Sequence, residues 1–324
     1  MREVMRTNDI VRLSWLQALF SDRGIQSFVL DSHTSLLEGS AGAIPRRLMV
    51  EDGDYAAVQR ILEEAGALDG GGSTGTDVIL GGRITLLQPY EGYRVAIDPI
   101  LLAAAVPDNG AGPVLDIGCG VGAAALAYAE RVPAARVAGL ELQPPLALLA
   151  QENARLNVLS DRVSFHDGNL LDPPAALAPG SFAQVMANPP YLPPERANRR
   201  SPPADAASTV EGEARLADWV DFALDMAQPK GGVTLIHRAD RLDEILALLH
   251  GRAGGIVVFP LWPGADASGG LRDARRVIVH AQKGVGTPTR LAGGLVLHRP
   301  DGSYTDEAER VLRDGAAVAL QIMS

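Results

Sequence analysis

Pro113-Val114-Leu115-Asp116-Ile117-Gly118-Cys119-Gly120-Val121-Gly122 is the stretch from which the architecture can be read. Its apolar run, Pro113 to Ile117, has the length and composition of a buried parallel strand. Three glycines at alternate positions then bring a backbone turn close to a ligand before a helix opens at Ala123. The glycines run G-x-G-x-G, whereas the dinucleotide fingerprint is G-x-G-x-x-G with a pyrophosphate at the helix N-terminus. Asp116 lies just ahead of the first glycine, where its charge repels a pyrophosphate and suits a cation such as an ammonium group.

The next strand outward, Arg136 to Leu140, ends in Glu141, about 20 residues downstream, the distance at which an acidic side chain holds a ribose diol. A neutral adenosine with two free hydroxyls and a cationic tail, as in S-adenosylmethionine, meets both requirements. The loop alone leaves open that Asp116 and Glu141 are ordinary strand-end carboxylates of a doubly wound fold. A second motif shifts that balance. Asn188-Pro189-Pro190-Tyr191 closes the apolar strand Phe182 to Ala187, and such a tetrapeptide arises by chance in a chain this long only about once in a thousand. It falls outside the carboxyl end of a strand, where α/β sheets bind ligands.

Around these motifs strands and helices alternate: helix Ala123 to Arg131, helix Pro145 to Leu156, strand Arg162 to Phe165, helix Ala214 to Ala227, strand Gly232 to His237, helix Leu242 to Leu249, strand Ile256 to Phe259 and strand Arg276 to His280. This is the signature of an α/β fold with one sheet covered by helices on both faces. Trp219 lies on the apolar face of its helix and reads as core. Asp98 reads as the N-cap of a helix whose first residue is Pro99. Ahead of this domain, residues 1–68 read as a small βαββα unit whose last helix carries Val58, Ile61, Leu62 and Ala65 on one face. Residues 69–77, rich in glycine, read as a linker, so the large domain spans 78–324, opening with a hairpin around Gly81-Gly82.

The 324 residues are 47% hydrophobic, with one cysteine and a net charge of −10. A single cysteine rules out an intrachain disulfide and a multi-cysteine metal site, and no metal is expected. The N-terminus lacks an apolar signal core and no apolar run reaches membrane-spanning length, which predicts a cytoplasmic protein without membrane contact. Nearly all of the excess negative charge lies before the second motif, so a generally basic nucleic-acid binder is excluded while local contact with phosphates is not.

The pairing of D-x-G-x-G-x-G with N-P-P-Y resembles the class I S-adenosylmethionine-dependent methyltransferases that modify a planar exocyclic or amide nitrogen, over roughly residues 78 to 315. The resemblance implies a seven-stranded, Rossmann-like sheet whose last strand is antiparallel. It implies that Asp116, Gly118, Gly120, Gly122, Glu141 and Leu142 line the cofactor and that Asp98, in a segment bordering the pocket, is a candidate cofactor contact. An acid at the end of the third strand reads the adenine amino group; here Asp167 and Asn169 compete for that role. In such a site the Asn188 side-chain oxygen and the Pro189 carbonyl accept the target N–H groups, Pro190 stiffens the turn and Tyr191 stacks on the target.

Adenine N6, cytosine N4 and a glutamine amide all present the same planar NH2, so the motif does not choose between them. Three further stretches, Arg238-Ala-Asp-Arg241-Leu-Asp-Glu, Arg275-Arg276-Val-Ile-Val-His-Ala-Gln-Lys283 and Leu295-Val-Leu-His-Arg-Pro-Asp-Gly-Ser-Tyr304, look like the bacterial family of tRNA1(Val) N6-adenine methyltransferases. That likeness implies an RNA partner, with tRNA as substrate and Arg199, Arg200, Arg238, Arg276 and Lys283 as candidate phosphate contacts. It leaves a protein glutamine N5-methyltransferase and a non-catalytic cofactor-sensing or RNA-binding protein as alternatives. The loop 192–208 reads as a lid or as a plain connection. Residues 1–67 resemble a small prokaryotic signal-transducing domain, carried by Gly24-Ile25 and Arg47-Leu48-Met49-Val50, and no chemistry is assigned to them.

Overall fold

The computed structural model describes residues 1–7, 16–17, 19–21, 23–30, 46–64, 74–89, 94–108, 110, 112–191, 211–265 and 270–320. Ala65, residues 69–73 of the linker and the loop 192–208 with Arg199 and Arg200 lie outside them.

In the N-terminal unit the strands β1 (Arg2–Thr7), β2 (Ser27–Leu30) and β3 (Arg46–Val50) form an antiparallel sheet in the order β1-β3-β2. Helix α1 (Tyr55–Glu64) buries Val58, Ile61 and Leu62 in one cluster with Leu48 and Val50, as the i, i+3, i+4 spacing requires.

The larger unit begins at Thr76, within β4 (Thr74–Ile79), which pairs with β5 (Ile84–Pro89) as a ribbon about a single tight turn at Leu80–Gly82. Residues 74–77, read as linker, are therefore strand: Thr74, Thr76 and Val78 give β4 an alternation of β-branched side chains that outweighs the intervening glycine. The elements that follow are α2 (Asp98–Ala105), β6 (Val114–Ile117), α3 (Ala123–Arg131), β7 (Val137–Glu141), α4 (Pro144–Leu156), β8 (Val163–Asp167), β9 (Phe182–Ala187), α5 (Leu216–Met226), β10 (Ala227–Arg238), α6 (Leu242–Leu249), β11 (Ala253–Trp262), β12 (Arg276–Lys283), β13 (Arg290–Leu291), β14 (Leu295–Val296) and α7 (Asp306–Leu312). Among the described residues no helix is long and apolar enough to cross a membrane.

The sheet runs β13-β11-β12-β10-β9-β6-β7-β8, with β14 also on β11. Strand β12 is antiparallel to both β10 and β11, as expected for the last long strand. The expected set is extended by β13 and β14, two residues each, which add in parallel to the β11 edge. On β6, Val114 packs into the cluster that holds α2 and α3, while Leu115 and Ile117 pack into the cluster that holds α5 and α6. The strand is thus buried on both faces.

Asn153 on α4 and Asn157 at its C-cap take the place of a neighbouring strand. Asn157 Oδ1 accepts from Thr85 N at 2.8 Å and its Nδ2 donates to Thr85 O at 2.7 Å. One turn earlier, the fully buried Asn153 accepts from Leu87 N at 2.7 Å and donates to Leu87 O and Val121 O at 3.0 and 2.9 Å. Their i, i+4 spacing on the helix meets the i, i+2 spacing of one edge of β5, and Asn153 ties that edge to the glycine loop.

Strand order reverses at β6, which pairs in parallel with β7 on one side and β9 on the other. Ile117 lies opposite Leu140 and opposite Ala187, so the three chains leave the sheet side by side. Gly118, Gly120 and Gly122 then turn with φ of 68°, 56° and 86°, a region closed to most side chains. A Cβ on Gly118 would lie 2.4 Å from Cη2 of the core residue Trp219. Gly118→Ala is therefore expected to cost about 2–4 kcal/mol in urea unfolding, from backbone strain and overpacking together. Trp219→Phe in the same chain should recover part of that loss; no recovery would place the whole cost in the backbone.

Candidate active site

The glycine loop brings two carboxylates under it. Glu141, buried at the end of β7, accepts from Gly120 N through Oε2 at 2.8 Å and from Gln143 N through Oε1 at 2.9 Å. Burial raises its proton affinity, and these backbone donors oppose that. Asp116 is only 2% exposed, and its Oδ2 accepts from Ala125 N, in the first turn of α3, at 3.1 Å. Desolvation pushes its pKa up to about 8; the Ala125 hydrogen bond lowers it and the charge of Glu141 adds to the rise. A buried carboxyl held this far from its ordinary range is suited to a cationic ligand, which stabilises the charged form.

The surroundings fit an adenosine. Nothing lies within 4 Å of a Cβ built on Gly120, so the loop leaves room at its middle glycine where Gly118 and Gly122 are packed against Trp219 and Phe165. Leu142, next to Glu141, is 63% exposed and offers an apolar surface at the carboxyl end of the sheet. Asp167 ends β8 exposed and lies opposite Glu141 in the ladder. Asn169, its competitor, has its Oδ1 engaged with Leu171 N at 3.0 Å and closes a local bridge to Asp172.

Across the switch point stands the second motif. Tyr191 Oη is 2.5 Å from Asp98 Oδ2 and 2.7 Å from Asn188 Oδ1. Arg276 Nε donates to the same Asp98 oxygen at 3.0 Å, and its guanidinium carbon lies 4.3 Å from the centroid of the Tyr191 ring. The His237 ring meets Tyr191 edge to face, with centroids 5.4 Å apart, and its Nε2 is 3.3 Å from the Pro190 carbonyl. Burial, then the charges of Arg241 and Arg276, push the His237 pKa down to about 4, so this imidazole is neutral at physiological pH and donates to that carbonyl.

The expected N-cap role of Asp98 is not observed. Ile97 occupies the cap position, no side chain caps the helix, and Asp98 is its first residue. The Tyr191 hydroxyl and Arg276 guanidinium offer the carboxylate charge-assisted partners in place of backbone N–H groups. Of the candidate phosphate contacts, Arg276 is engaged with Asp98 and Tyr191, and Arg238 is paired with Asp240 at 2.5 Å. Lys283 donates to Ala227 O at 2.9 Å, at the amino end of β10 and thus the opposite end of the sheet from Asn188. Sequence reasoning missed His237 and Asn153. A histidine closing the otherwise apolar strand next to β9, at the same end as the motif, is the signal that pointed to the first.

Comparison with known proteins gives the family. Residues 114–199 match the model described as "Methyltransferase domain", and residues 1–66 match "Putative prokaryotic signal transducing protein". The tRNA1(Val) (adenine(37)-N6)-methyltransferase of Porphyromonas gingivalis is 31% identical over 177 residues, which cover 52% of this chain and 68% of that protein. The chain belongs to this methyltransferase family. A protein of the same name from Aeromonas hydrophila is 29% identical, with 66% of this chain and 86% of that one covered. A crystal structure titled "predicted O-methyltransferase" from Agrobacterium tumefaciens is 25% identical, covers 68% of this chain and 98% of its own, and superposes with a TM-score of 0.56. The protein is thus an S-adenosylmethionine-dependent methyltransferase with a Rossmann-like mixed sheet and a separate N-terminal signal-transducing domain.

If Asp116 faces the ammonium group of the cofactor, as expected from the sequence, its raised pKa predicts that cofactor binding depends on pH. A bound ammonium favours the ionised carboxyl, so binding from pH 6 to 7.5 releases a proton and tightens as pH rises, below the range (about 7.7–8) where the ligand's own α-amino group titrates. Calorimetry in buffers of different ionisation enthalpy should show this for the wild type, and Asp116→Asn should flatten the slope. An equal slope in that variant would remove Asp116 from contact with the cation. The unliganded protein carries the opposite sign: a carboxyl raised in the folded state favours folding at low pH and loses that contribution as pH climbs towards 8, so wild-type Tm should fall more steeply than that of Asp116→Asn between pH 6 and 8.5.

Proposed function

We propose that the protein transfers a methyl group from S-adenosylmethionine to the exocyclic N6 of an adenine in RNA, with tRNA as substrate. The observation that carries this reading is the rigid Asn188–Tyr191 turn at the carboxyl end of β9, one strand from the glycine loop on β6. The names of the Porphyromonas and Aeromonas relatives support adenine and tRNA over the other planar amines.

On this reading Glu141 holds the ribose diol, Asp116 faces the ammonium end, and the exposed Asp167 reads the adenine amino group while Asn169 shapes the turn behind it. Leu142 covers the adenosine. S-adenosylmethionine supplies a methyl group on a sulfonium, a neutral leaving group once displaced, so the demand on the chain is position: the attacking nitrogen must come within about 3–3.5 Å of the methyl carbon, in line with the breaking bond. The nitrogen's lone pair is delocalised into the ring. Asn188 Oδ1 and the Pro189 carbonyl accept its two N–H groups, favour a tetrahedral nitrogen and stabilise the positive charge that builds there. One N–H proton then leaves to water. Tyr191 stacks on the extruded base, a contact worth about 1–3 kcal/mol, which offsets much of the cost of unstacking it. His237 donates to the Pro190 carbonyl and so holds the turn in place.

Purified protein, labelled S-adenosylmethionine and unmodified total tRNA, followed by digestion to nucleosides, test this directly. The expected product is N6-methyladenosine. Label in release factors and none in RNA would replace the substrate with a glutamine amide. Asn188→Ala should lower kcat about 10²–10³-fold with cofactor affinity kept, since it removes an acceptor that matters as charge develops. Tyr191→Ala should raise KM for RNA about tenfold and lower kcat as well, since the hydroxyl that contacts Asn188 goes with the ring. A cofactor sensor without catalysis would show no turnover in the wild type.

A further inference from the structure

The hydroxyl of Tyr191 has one hydrogen and faces two acceptors, Asp98 Oδ2 at 2.5 Å and Asn188 Oδ1 at 2.7 Å. Only one of them can receive it. Asp98 is fixed as an acceptor, because a carboxylate paired with the Arg276 guanidinium has no hydrogen to give. The ion-paired carboxylate is the stronger of the two acceptors and takes the phenolic hydrogen. A lone pair of the Tyr191 oxygen is then left to face Asn188. A carboxamide offers oxygen on one side and NH2 on the other, and a half turn exchanges them at little cost in shape.

We infer that Arg276, Asp98 and Tyr191 form a hydrogen-bond relay that sets the orientation of the Asn188 amide: Arg276 holds Asp98 as acceptor, Tyr191 donates to Asp98, and Asn188 Nδ2 donates to Tyr191, so that Oδ1 is presented to the incoming amine. With the amide turned the other way, Tyr191 caps the oxygen that the substrate needs and the site is closed by its own tyrosine. Asp98 and Arg276 are positioning residues here, acting on the acceptor through Tyr191, and Arg276 also places its guanidinium over the Tyr191 ring. The relay rests on the methyl-transfer reading of Asn188 given above. It joins α2, the turn after β9 and the start of β12, with Asp98 and Arg276 178 positions apart in the sequence.

A double-mutant cycle tests it. Asp98→Asn and Tyr191→Phe should each lower kcat about tenfold, with S-adenosylmethionine affinity unchanged within about twofold, and the double variant should be no slower than the slower single one. Arg276→Lys, which keeps the charge, should recover much of the kcat lost in Arg276→Ala. Losses that simply multiply in the double variant would overturn the relay. So would a loss of cofactor affinity matching the loss of rate in Asp98→Asn, which would make Asp98 a cofactor contact. A substrate-independent readout separates this from the choice of substrate: the 15N side-chain amide signal of Asn188, identified by its disappearance in Asn188→Ala, should move in the same direction in Asp98→Asn and Tyr191→Phe. If tRNA accepts no methyl group and these shifts still agree, the substrate reading fails and the relay stands. An Asn188 signal unmoved by Asp98→Asn, in variants whose thermal unfolding matches the wild type, would sink the relay whatever the substrate.

Discussion

Parallel pairing between β6 and β9 holds the two halves of this site together. Leu115–Ile117 run beside Val185–Ala187, so the glycine turn and the Asn188 turn leave the sheet from adjacent strands, about 4.8 Å apart at the last pair. A slip of one residue would move one turn along the strand by about 3.3 Å and exchange the faces on which its side chains stand. An in-line transfer does not tolerate such a displacement. Both strands are buried throughout, which makes the register costly to change. The fold thus does the part of the chemistry that consists of distance.

Charge is arranged around the same constraint. Burial raises the cost of ionising both Asp116 and Glu141, the charge of Glu141 adds to it at Asp116, and backbone N–H groups of Gly120, Gln143 and Ala125 oppose that cost. The turn that needs glycine φ values also aims a backbone donor at Glu141. Asn153 completes the arrangement from the other side by binding the Val121 carbonyl, so the loop is held by one carboxylate and one carboxamide. A cationic ligand entering here meets a site whose unfavourable element is an unneutralised carboxyl, and its charge removes that element.

Local pattern made much of this legible. The α/β sheet covered on both faces, the core role of Trp219 and the position of both motifs follow from apolar runs, glycine spacing and β-α alternation, all of which act within a few residues, whereas the antiparallel last strand was implied by the family resemblance. What was not legible depends on partners far along the chain. Asp98 followed by Pro99 satisfies the local rule for a helix cap, yet its carboxylate turns to Tyr191 and Arg276, whose proximity only the folded sheet creates. Arg276 itself read as a phosphate contact because an arginine in sequence shows its charge and not its neighbours. Thr74 to Asp77 read as linker because glycine and threonine are as common in turns as in edge strands, and pairing with β5 decides between them. Asn153 and Asn157 carry no motif at all: two amides spaced for a helix matter only once a strand edge lies against them.

The disposition of the basic residues bears on how an acidic protein could select an RNA base. Arg276, Arg238 and Arg241 stand at the carboxyl end of the sheet, and each is engaged by a carboxylate: Asp98, Asp240, and the Glu211 and Glu244 pair. Their charges are neutralised inside the protein, so they add little to the long-range attraction that dominates non-specific nucleic-acid binding. What remains near Asn188 is a tyrosine ring with one face backed by a guanidinium, a pair of rigid acceptors and a neutral histidine. On the proposed reading such a site draws its selectivity from stacking and from hydrogen bonds to one planar amine, which pay out only when the base is already turned out of its stack. It is therefore matched to an unpaired loop nucleotide, where the cost of extrusion is smallest, rather than to a base held in a duplex.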